Sequence, residues 1–184
     1  MAHAETRVIG SAAVAVAAAA ARARERGYEV IVRADPVVGE AREAAALHME
    51  WLAGQTAGRT GPLCLLSCGE TTVRVRGTGR GGRNQEFALA CVARLNTARP
   101  RCSLVASVGT DGVDGPTDAA GAWVDDTVLL RARVHGLDPM AYLDANDSWH
   151  FFQRVGGLIR TGATDTNVGD LQIAIVPETG SGGV

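Results

Sequence analysis

Short apolar runs alternate along this chain with longer segments whose apolar residues recur at helical spacing. Near the start, residues 6–10 have the composition of a short strand, and residues 28–33 again favour a strand. Between them, residues 11–26 are alanine-rich with helical spacing, and Gly27 is a typical helix terminator. A strand, a helix and a second strand in this order predict a βαβ unit.

Two adjacent segments in the middle of the chain differ in pattern. Residues 63–70 are almost continuously apolar, as in a strand buried on both faces. Residues 71–76 also predict a strand, but there valine alternates with arginine at residues 73–76. The spacing predicts further helices at residues 39–55, 84–96, 127–135, 138–147 and 148–158, and further strands at residues 102–112, 122–124 and 171–176. We therefore expect one α/β domain over residues 1–184, a three-layer α/β/α sandwich with a mixed, mostly parallel sheet, followed by a disordered tail at residues 178–184.

Composition narrows the function. The chain has 184 residues and is 46% apolar, which is enough for one sizeable core. Its net charge of −2 disfavours a general nucleic-acid or membrane binder, because either would normally carry a basic face. All 18 basic residues are arginine, so a mechanism that needs a lysine on a phosphoryl group cannot be completed by this chain alone.

Cysteine usage and the alanine-rich start favour a cytoplasmic location. The cysteines lie on predicted strands and a helix, without a CxxC pair or a histidine at metal-ligand spacing, and we interpret them as core residues in a reducing compartment. These residues are Cys64, Cys68, Cys91 and Cys102. The run at residues 12–21 is short and weakly hydrophobic, so it fits a helix with one buried face better than an export signal.

Residues 77–86, GTGRGGRNQE, are the most chemically dense stretch of the sequence. The four glycines lie between a predicted strand and a predicted helix, where backbone N–H groups and a helix N-terminus can bind an anion. Arg80 and Arg83 can clamp the oxygens of that anion. A solvated turn before a polar helix start is the alternative interpretation of such a loop.

The same loop fits the dinucleotide-binding pattern GxGxxG at Gly77, Gly79 and Gly82, which raises a nicotinamide enzyme as an alternative. Two features disagree with that alternative. The preceding residues 71–76 alternate instead of being continuously apolar. About twenty residues on, where an acidic residue would bind the ribose, residues 100–102 are Pro-Arg-Cys.

Acidic and amide residues follow or precede other predicted strands. Asp111, Asp114 and Asp118 lie close together in one loop, where carboxylates can bind Mg²⁺ or simply form turns. Glu70 ends a buried strand, where it can face a ligand or pair with a nearby arginine. Ligands of open α/β sheets collect outside the carboxyl ends of the strands, so we expect these clusters to form one rim.

Three long motifs resemble one known family. LLSCGETTVRVRGTGRGGRNQEFALA, GTDGVDGPTDAAGAWVD and NVGDLQIAIV, in this order, closely resemble the C-terminal MOFRL region of the glycerate 2-kinases, formerly often labelled hydroxypyruvate reductases. The resemblance implies ATP-dependent phosphorylation of D-glycerate to 2-phosphoglycerate, with Mg²⁺, in a cytoplasmic enzyme. In that family the cleft lies between an N-terminal Rossmann-like domain and this one. We expect this chain, which lacks the larger domain, to be an inactive fragment.

On this hypothesis Arg80 and Arg83 bind substrate carboxylate or phosphate, and Asp111 and Asp114 hold Mg²⁺ or orient the acceptor. The remaining rim residues would contact substrate or phosphate: Glu70, Gly79, Gly81, Gly82, Asn84, Glu86, Thr117, Asp118, Asn167 and Asp170. Two rival interpretations are an NAD(P)H-dependent hydroxypyruvate reductase and a non-catalytic ligand-binding module. The expected partners are the small-molecule substrate and the N-terminal domain, with no nucleic acid and no membrane, and a homo-oligomer is left open.

Overall fold

A computed structural model describes residues 10–95 and 102–178. The strands are Glu29–Val32 (β1), Val37–Glu40 (β2), Leu63–Thr72 (β3), Leu104–Gly109 (β4), Gly121–Asp125 (β5), Leu158–Ile159 (β6) and Asp170–Val176 (β7). The helices are Ala12–Glu25 (α1), Ala41–Thr56 (α2), Arg83–Leu95 (α3), Val128–Val134 (α4), Pro139–Asp144 (α5) and Ser148–Val155 (α6). The strand expected at residues 6–10 and most of the tail expected at residues 178–184 lie outside the described residues.

The seven strands form one mixed sheet in the order β1-β3-β7-β4-β5-β6, and β2 pairs with the far end of β3. Both β1 and β2 run parallel to β3, whereas the pairs β3–β7, β4–β7, β4–β5 and β5–β6 are antiparallel. The mixed α/β class is confirmed. Only β5 and β7 run against the other strands of this sheet, yet antiparallel neighbours outnumber parallel ones, because each of these two strands lies between two strands of the opposite direction.

Alternate residues of the central strands serve two cores on opposite faces of the sheet. On one face, Leu63 and Leu65 of β3 pack in a large cluster with residues of helices α2 to α6. On the other face, Cys64 and Leu66 pack with α1. The continuous apolar run of β3 therefore reflects burial on both sides, as its sequence predicted.

Capping residues fix the ends of the two long N-terminal helices. Ser11 accepts a hydrogen bond from the N–H of Val14 at the start of α1, and Gly27 follows its end with a φ of 85°. The Glu40 carboxylate accepts from the N–H groups of Arg42 and Glu43 at the start of α2. The predicted helix at residues 39–55 therefore begins two residues late, because residues 37–40 form the short strand β2 that the spacing did not predict.

The strand predicted at residues 71–76 is wrong beyond Thr72, where β3 ends. In this segment the side chain of Asn146 makes hydrogen bonds to the backbone, where a strand would pair with a neighbouring strand. Its carboxamide oxygen accepts from the N–H groups of Arg76 at 2.6 Å and Gly77 at 2.9 Å, and its Nδ2 donates to the carbonyl of Arg74 at 3.3 Å. The alternation of valine and arginine thus belongs to an extended segment that side-chain hydrogen bonds hold in place.

The cysteines are free thiols, and Cys64, Cys91 and Cys102 are buried, as their interpretation as core residues predicted. Burial raises the pKa of the Cys102 thiol to about 11, so this group stays protonated at neutral pH. Among the described residues, no helix has both the length and the apolar character needed to span a membrane.

Candidate functional site

A cleft of about 890 Å³ opens at one edge of the sheet. The carboxyl ends of β3 and β4, the amino end of β7 and the N-terminus of α3 meet at this edge, since Gly69 and Gly109 both pair with Asp170. The lining residues are Glu70, Thr71, Thr72, Val73, Val75, Gly79, Gly81, Gly82, Arg83, Glu86, Asp111, Val113, Asp114, Gly115, Pro116 and Asn146. The structure thus brings Glu70, the glycine-rich loop, the loop of Asp111 and Asp114, and Asp170 to one edge of the sheet.

Arg83 lies between two carboxylates at this rim. Its Nε and Nη2 donate to Asp170 at 2.6 and 3.0 Å, and its Nη1 lies 3.0 Å from an oxygen of Glu70. The hydrogen bonds to Asp170, more than the charge of Glu70, raise the pKa of the Arg83 guanidinium above its ordinary value. Asp170 is buried, so its bidentate contact fixes the plane of the guanidinium.

Asp114 caps the N-terminus of α3. One carboxylate oxygen accepts from the backbone and side-chain nitrogens of Asn84 at 3.0 and 3.3 Å, and the other accepts from those of Gln85 at 2.9 and 3.0 Å. Burial raises the pKa of the Asp114 carboxyl, and these hydrogen bonds oppose the shift. The helix N-terminus that the sequence suggested for a ligand anion is thus occupied by a carboxylate of the chain itself.

The glycines of the loop serve close packing. A Cβ on Gly79 would lie 2.4 Å from the Cβ of Asp147, and one on Gly82 would lie 2.4 Å from the carboxylate of Asp114. Backbone groups are also engaged, since the N–H of Gly79 donates to the carbonyl of Ala145 and the N–H of Arg80 donates to the Asp147 carboxylate. The loop is therefore docked on the turn between α5 and α6, and these two N–H groups already have partners within the protein.

Arg80 lies outside the cleft lining. Its guanidinium stacks over Trp149 at 4.5 Å and donates from Nε to the carbonyl of Pro116 at 2.9 Å. The Trp149 indole donates to Asp118 at 2.7 Å, and Asp118 also accepts from Arg160, whose hydrogen bond lowers the pKa of that carboxyl. Arg80 and Arg83 therefore do not form the joint clamp that the sequence suggested.

Several other predicted site residues take part in internal networks. Asn84 is buried and accepts from Ser107 at 2.6 Å. Glu86 is buried and pairs with Arg42 at 2.7 Å, and Thr117 accepts from the Gln85 amide at 2.9 Å. These contacts support the floor of the cleft, and of this group Glu86 also contributes to its lining.

Asp111 and Asn167 lie on loops with different exposure to the cleft. Asp111 lines it, and one of its oxygens accepts from the N–H of Val113 at 3.1 Å. Asn167 is exposed, accepts from the N–H of Gly169 at 3.1 Å and does not line the cleft. The loop before β7 therefore contributes Asp170 to the rim but not Asn167.

Asn146 and Arg42 are site-supporting residues that the sequence did not reveal. Asn146 donates from Nδ2 to Glu86 at 2.9 Å while its oxygen holds the start of the glycine loop. Its φ is 52°, a conformation that asparagine tolerates better than most residues. The one available signal was an asparagine close to the junction of two predicted helices, which also fits an ordinary turn.

Comparisons with known proteins identify the family to which this chain is related. The sequence profile described as MOFRL family matches residues 63–170. The chain is 37% identical over 179 residues to a D-glycerate 2-kinase of Thermotoga maritima, covering 96% of this chain and 42% of that protein. It is 49% identical over 118 residues to a glycerate kinase of Homo sapiens, covering 61% of this chain and 23% of that protein.

A solved structure gives the same result. The crystal structure of a glycerate kinase from Thermotoga maritima matches 94% of this chain and 42% of that chain, with a TM-score of 0.85 and 37% sequence identity. This chain thus spans less than half the length of the relatives it matches. The matched segment, residues 63–170, includes every residue that lines the cleft. The sequence match and the shared fold place the chain in the MOFRL family, related to the glycerate 2-kinases.

Proposed function

We propose that the chain is the C-terminal part of an ATP-dependent glycerate 2-kinase, which transfers the γ-phosphoryl group of ATP to the 2-hydroxyl of D-glycerate. The observation that supports this most is that the whole lining of the cleft falls within the segment matched by the family. A relative named D-glycerate 2-kinase matches 96% of this chain, and one named glycerate kinase matches 61% of it. The cleft is therefore the place where this chain would contact the reactants.

Arg83 is the residue best placed to bind an anionic group of substrate. Its side chain is partly exposed, and it is the one cationic side chain among the described lining residues. Asp170 holds its guanidinium in one orientation, so that Nη1 faces the cleft. A fixed cation of this kind stabilises charge on a carboxylate or on a phosphoryl group in transfer.

Mg²⁺ would neutralise the phosphates during transfer, and Asp111 fits a role in holding it. One of its two carboxylate oxygens accepts no hydrogen bond within the described part of the chain. Asp114 does not fit, because four hydrogen bonds already engage both of its oxygens. Over residues 10–95 and 102–178 no group of three His, Cys, Asp or Glu could hold a metal, so substrate oxygens would have to complete the site.

The balance of charge around the cleft calls for a second contributor. The described lining carries one arginine against four carboxylates, those of Glu70, Glu86, Asp111 and Asp114. The triphosphate of ATP is strongly anionic, and this chain has no lysine to offer it. We therefore assign further cationic groups to an N-terminal Rossmann-like domain, which would close over this cleft from the other side.

A chimera tests the proposed function. The corresponding region of the Thermotoga maritima D-glycerate 2-kinase would be replaced by this chain and incubated with ATP, Mg²⁺ and D-glycerate. We expect 2-phosphoglycerate and ADP in the phosphorus NMR spectrum with the chimera, and no turnover with the isolated chain. In the chimera, Arg83→Lys should lower kcat/KM at least about tenfold, because lysine cannot reproduce the guanidinium fork. Arg133→Gln, at an exposed arginine of α4, is the matched control.

Other results would contradict the proposal in distinct ways. Normal turnover by the isolated chain would show that no second domain is needed. A folded chimera that oxidises NADH or NADPH with hydroxypyruvate, and does not phosphorylate glycerate, would identify a reductase. A folded chimera that binds glycerate and turns over neither substrate would identify a ligand-binding module.

A further inference from the structure

The two carboxylates on Arg83 hold its guanidinium very unequally. Asp170 accepts two hydrogen bonds, from Nε and Nη2, and its side chain is 1% exposed. Glu70 makes one ion pair, with Nη1, and its side chain is 63% exposed. The edge of the guanidinium with Nε and Nη2 is therefore held by a buried carboxylate. The edge with Nη1 is paired only with the exposed side chain of Glu70, which also lines the cleft.

Releasing the contact of Arg83 with Asp170 costs more free energy than releasing its contact with Glu70. Removing the partner of a buried, hydrogen-bonded charge is strongly destabilising, whereas exposed ion pairs contribute little. The Glu70 carboxylate has no other hydrogen bond or ion pair within the described residues, and Glu70 lies two residues before the end of β3, in the part of the strand that pairs with β2. Its side chain can leave Arg83 without disturbing the fold.

The position that Glu70 occupies is the one that an entering anion needs. Both Glu70 and Arg83 line the cleft, and the other described carboxylates of the lining repel an anion. An anion that enters the cleft therefore has Arg83 as its cationic partner on this wall. Since Asp170 holds Nε and one N–H of Nη2, the edge that carries Nη1 is the one left for the anion.

We propose that Glu70 is a displaceable counter-ion of Arg83, which competes with a small carboxylate-bearing or phosphate-bearing ligand for Nη1. In the empty cleft its carboxylate pairs with Nη1, and when the anion binds it leaves Nη1 to the anion. The identity of that anion as D-glycerate rests on the proposed function. Glu70 thereby lowers the affinity of the cleft for every anion. Only an anion that makes further contacts in the cleft binds strongly enough to displace it.

Anion binding to the isolated chain tests this role without any catalytic readout. The dissociation constants of sodium D-glycerate and of inorganic phosphate would be measured by NMR titration for the 184-residue chain and for Glu70→Gln. We expect Glu70→Gln to bind both anions roughly two- to fivefold more tightly, the size expected from loss of an exposed ion pair. Glycerol, which is uncharged, should bind the two proteins equally.

Glu50→Gln is the matched control. Glu50 also pairs with an arginine at 3.0 Å and also has a side chain that is 63% exposed, but it lies on α2 away from the cleft. This variant should behave as the parent chain does. Unchanged or weaker anion binding by Glu70→Gln would overturn the proposal, as would the absence of binding of either anion to both proteins. A chimera without kinase activity would refute the proposed function and leave this titration unaffected.

Discussion

At the scale of single residues, His48 is the most unusual buried group. It is fully buried in α2 between the rings of Trp51 and Phe87, with ring centroids 5.4 and 5.5 Å away. Neither ring nitrogen has a hydrogen-bond partner in the described part of the chain. Burial, with a further contribution from the charge of Arg33, lowers the pKa of His48 from 6.5 to about 3. The folded protein therefore keeps this imidazole neutral well into the acidic range.

The first prediction concerns acid stability. The unfolded chain takes up a proton at His48 below about pH 6.5, whereas the folded chain does not until about pH 3. The free energy of unfolding should therefore decrease as the pH is lowered from about 6.5 to about 3. At pH 5, His48 should lower the free energy of unfolding by about 2 kcal/mol relative to neutral pH. Urea unfolding of the parent chain and of His48→Leu at several pH values measures it, and the leucine variant should lack this component.

An exposed histidine provides the control. His135 lies at the end of α4, and His135→Gln should retain the full pH dependence of the parent chain. Parallel pH profiles for the parent chain and His48→Leu would show that the imidazole is protonated as readily in the fold as in the unfolded chain.

At the scale of elements, the glycine loop is held by shape as much as by hydrogen bonds. It lies against the turn between α5 and α6, and its closest approaches leave no room for a side chain. Residues of α6 in turn bury a large aromatic surface against α3. The position of the loop at the rim of the cleft thus depends on helices that follow it by more than fifty residues in the sequence.

The second prediction compares two glycines. Gly79→Ala places a Cβ 2.6 Å from the carbonyl oxygen of Ala145 and should destabilise the fold by roughly 1–3 kcal/mol through overpacking. Gly54→Ala, in α2 with open space around it, should stabilise the fold by roughly 0.5–1 kcal/mol through helix propensity. Urea unfolding measures both changes. Equal effects of the two substitutions would contradict the docked position of the loop.

Sequence patterns predicted most elements because they depend on local spacing. The helices and buried strands appear where apolar periodicity placed them, and α3 differs by only one residue at each end. The failures have long-range causes. Residues 73–76 alternate as a strand does, but the carboxamide that holds them is that of Asn146. The strand β2 is four residues long and exists because β3 extends beyond β1 and offers it a partner.

Which residues meet at the edge of the sheet was partly predictable, and the contacts that each of them makes were less so. The rule that polar loops meet at strand ends placed Glu70, Arg83 and Asp170 together, and their contacts confirm that convergence. The rule could not reveal that Asp114 caps a helix thirty residues before it. Nor could it separate Arg80 from Arg83, because both follow glycines and only the fold stacks one of them on Trp149.

At the scale of the whole molecule, one buried network joins three helical regions under the cleft. Arg42 of α2 pairs with Glu86 of α3 and donates to the carbonyl of Leu143 in α5 at 2.6 Å. Glu86 also accepts from Asn146, which holds the glycine loop. A change at Arg42 therefore reaches the rim of the cleft through two intervening side chains.

The third prediction is a large coupling energy between Arg42 and Glu86. Arg42→Met leaves the nearly buried Glu86 carboxylate without its cation and should cost about 3 kcal/mol of stability. Arg42→Met combined with Glu86→Gln should be less destabilising than the sum of the single changes, by about 2 kcal/mol. The exposed pair Arg59–Glu29, treated in the same way, should couple by less than about 1 kcal/mol. Additive effects at Arg42 and Glu86 would contradict the network.

The central position of β7 has a consequence for how the protein is made. A ribosome that has completed α6 has already produced β1 to β5, yet β3 and β4 are joined in the sheet through β7, which is made after β6. The sheet therefore cannot be completed until β7 has been synthesised and has paired with the edges of β3 and β4. Asp170 is the first residue of that strand, so the cation of the cleft acquires its fixed orientation in the same closing step.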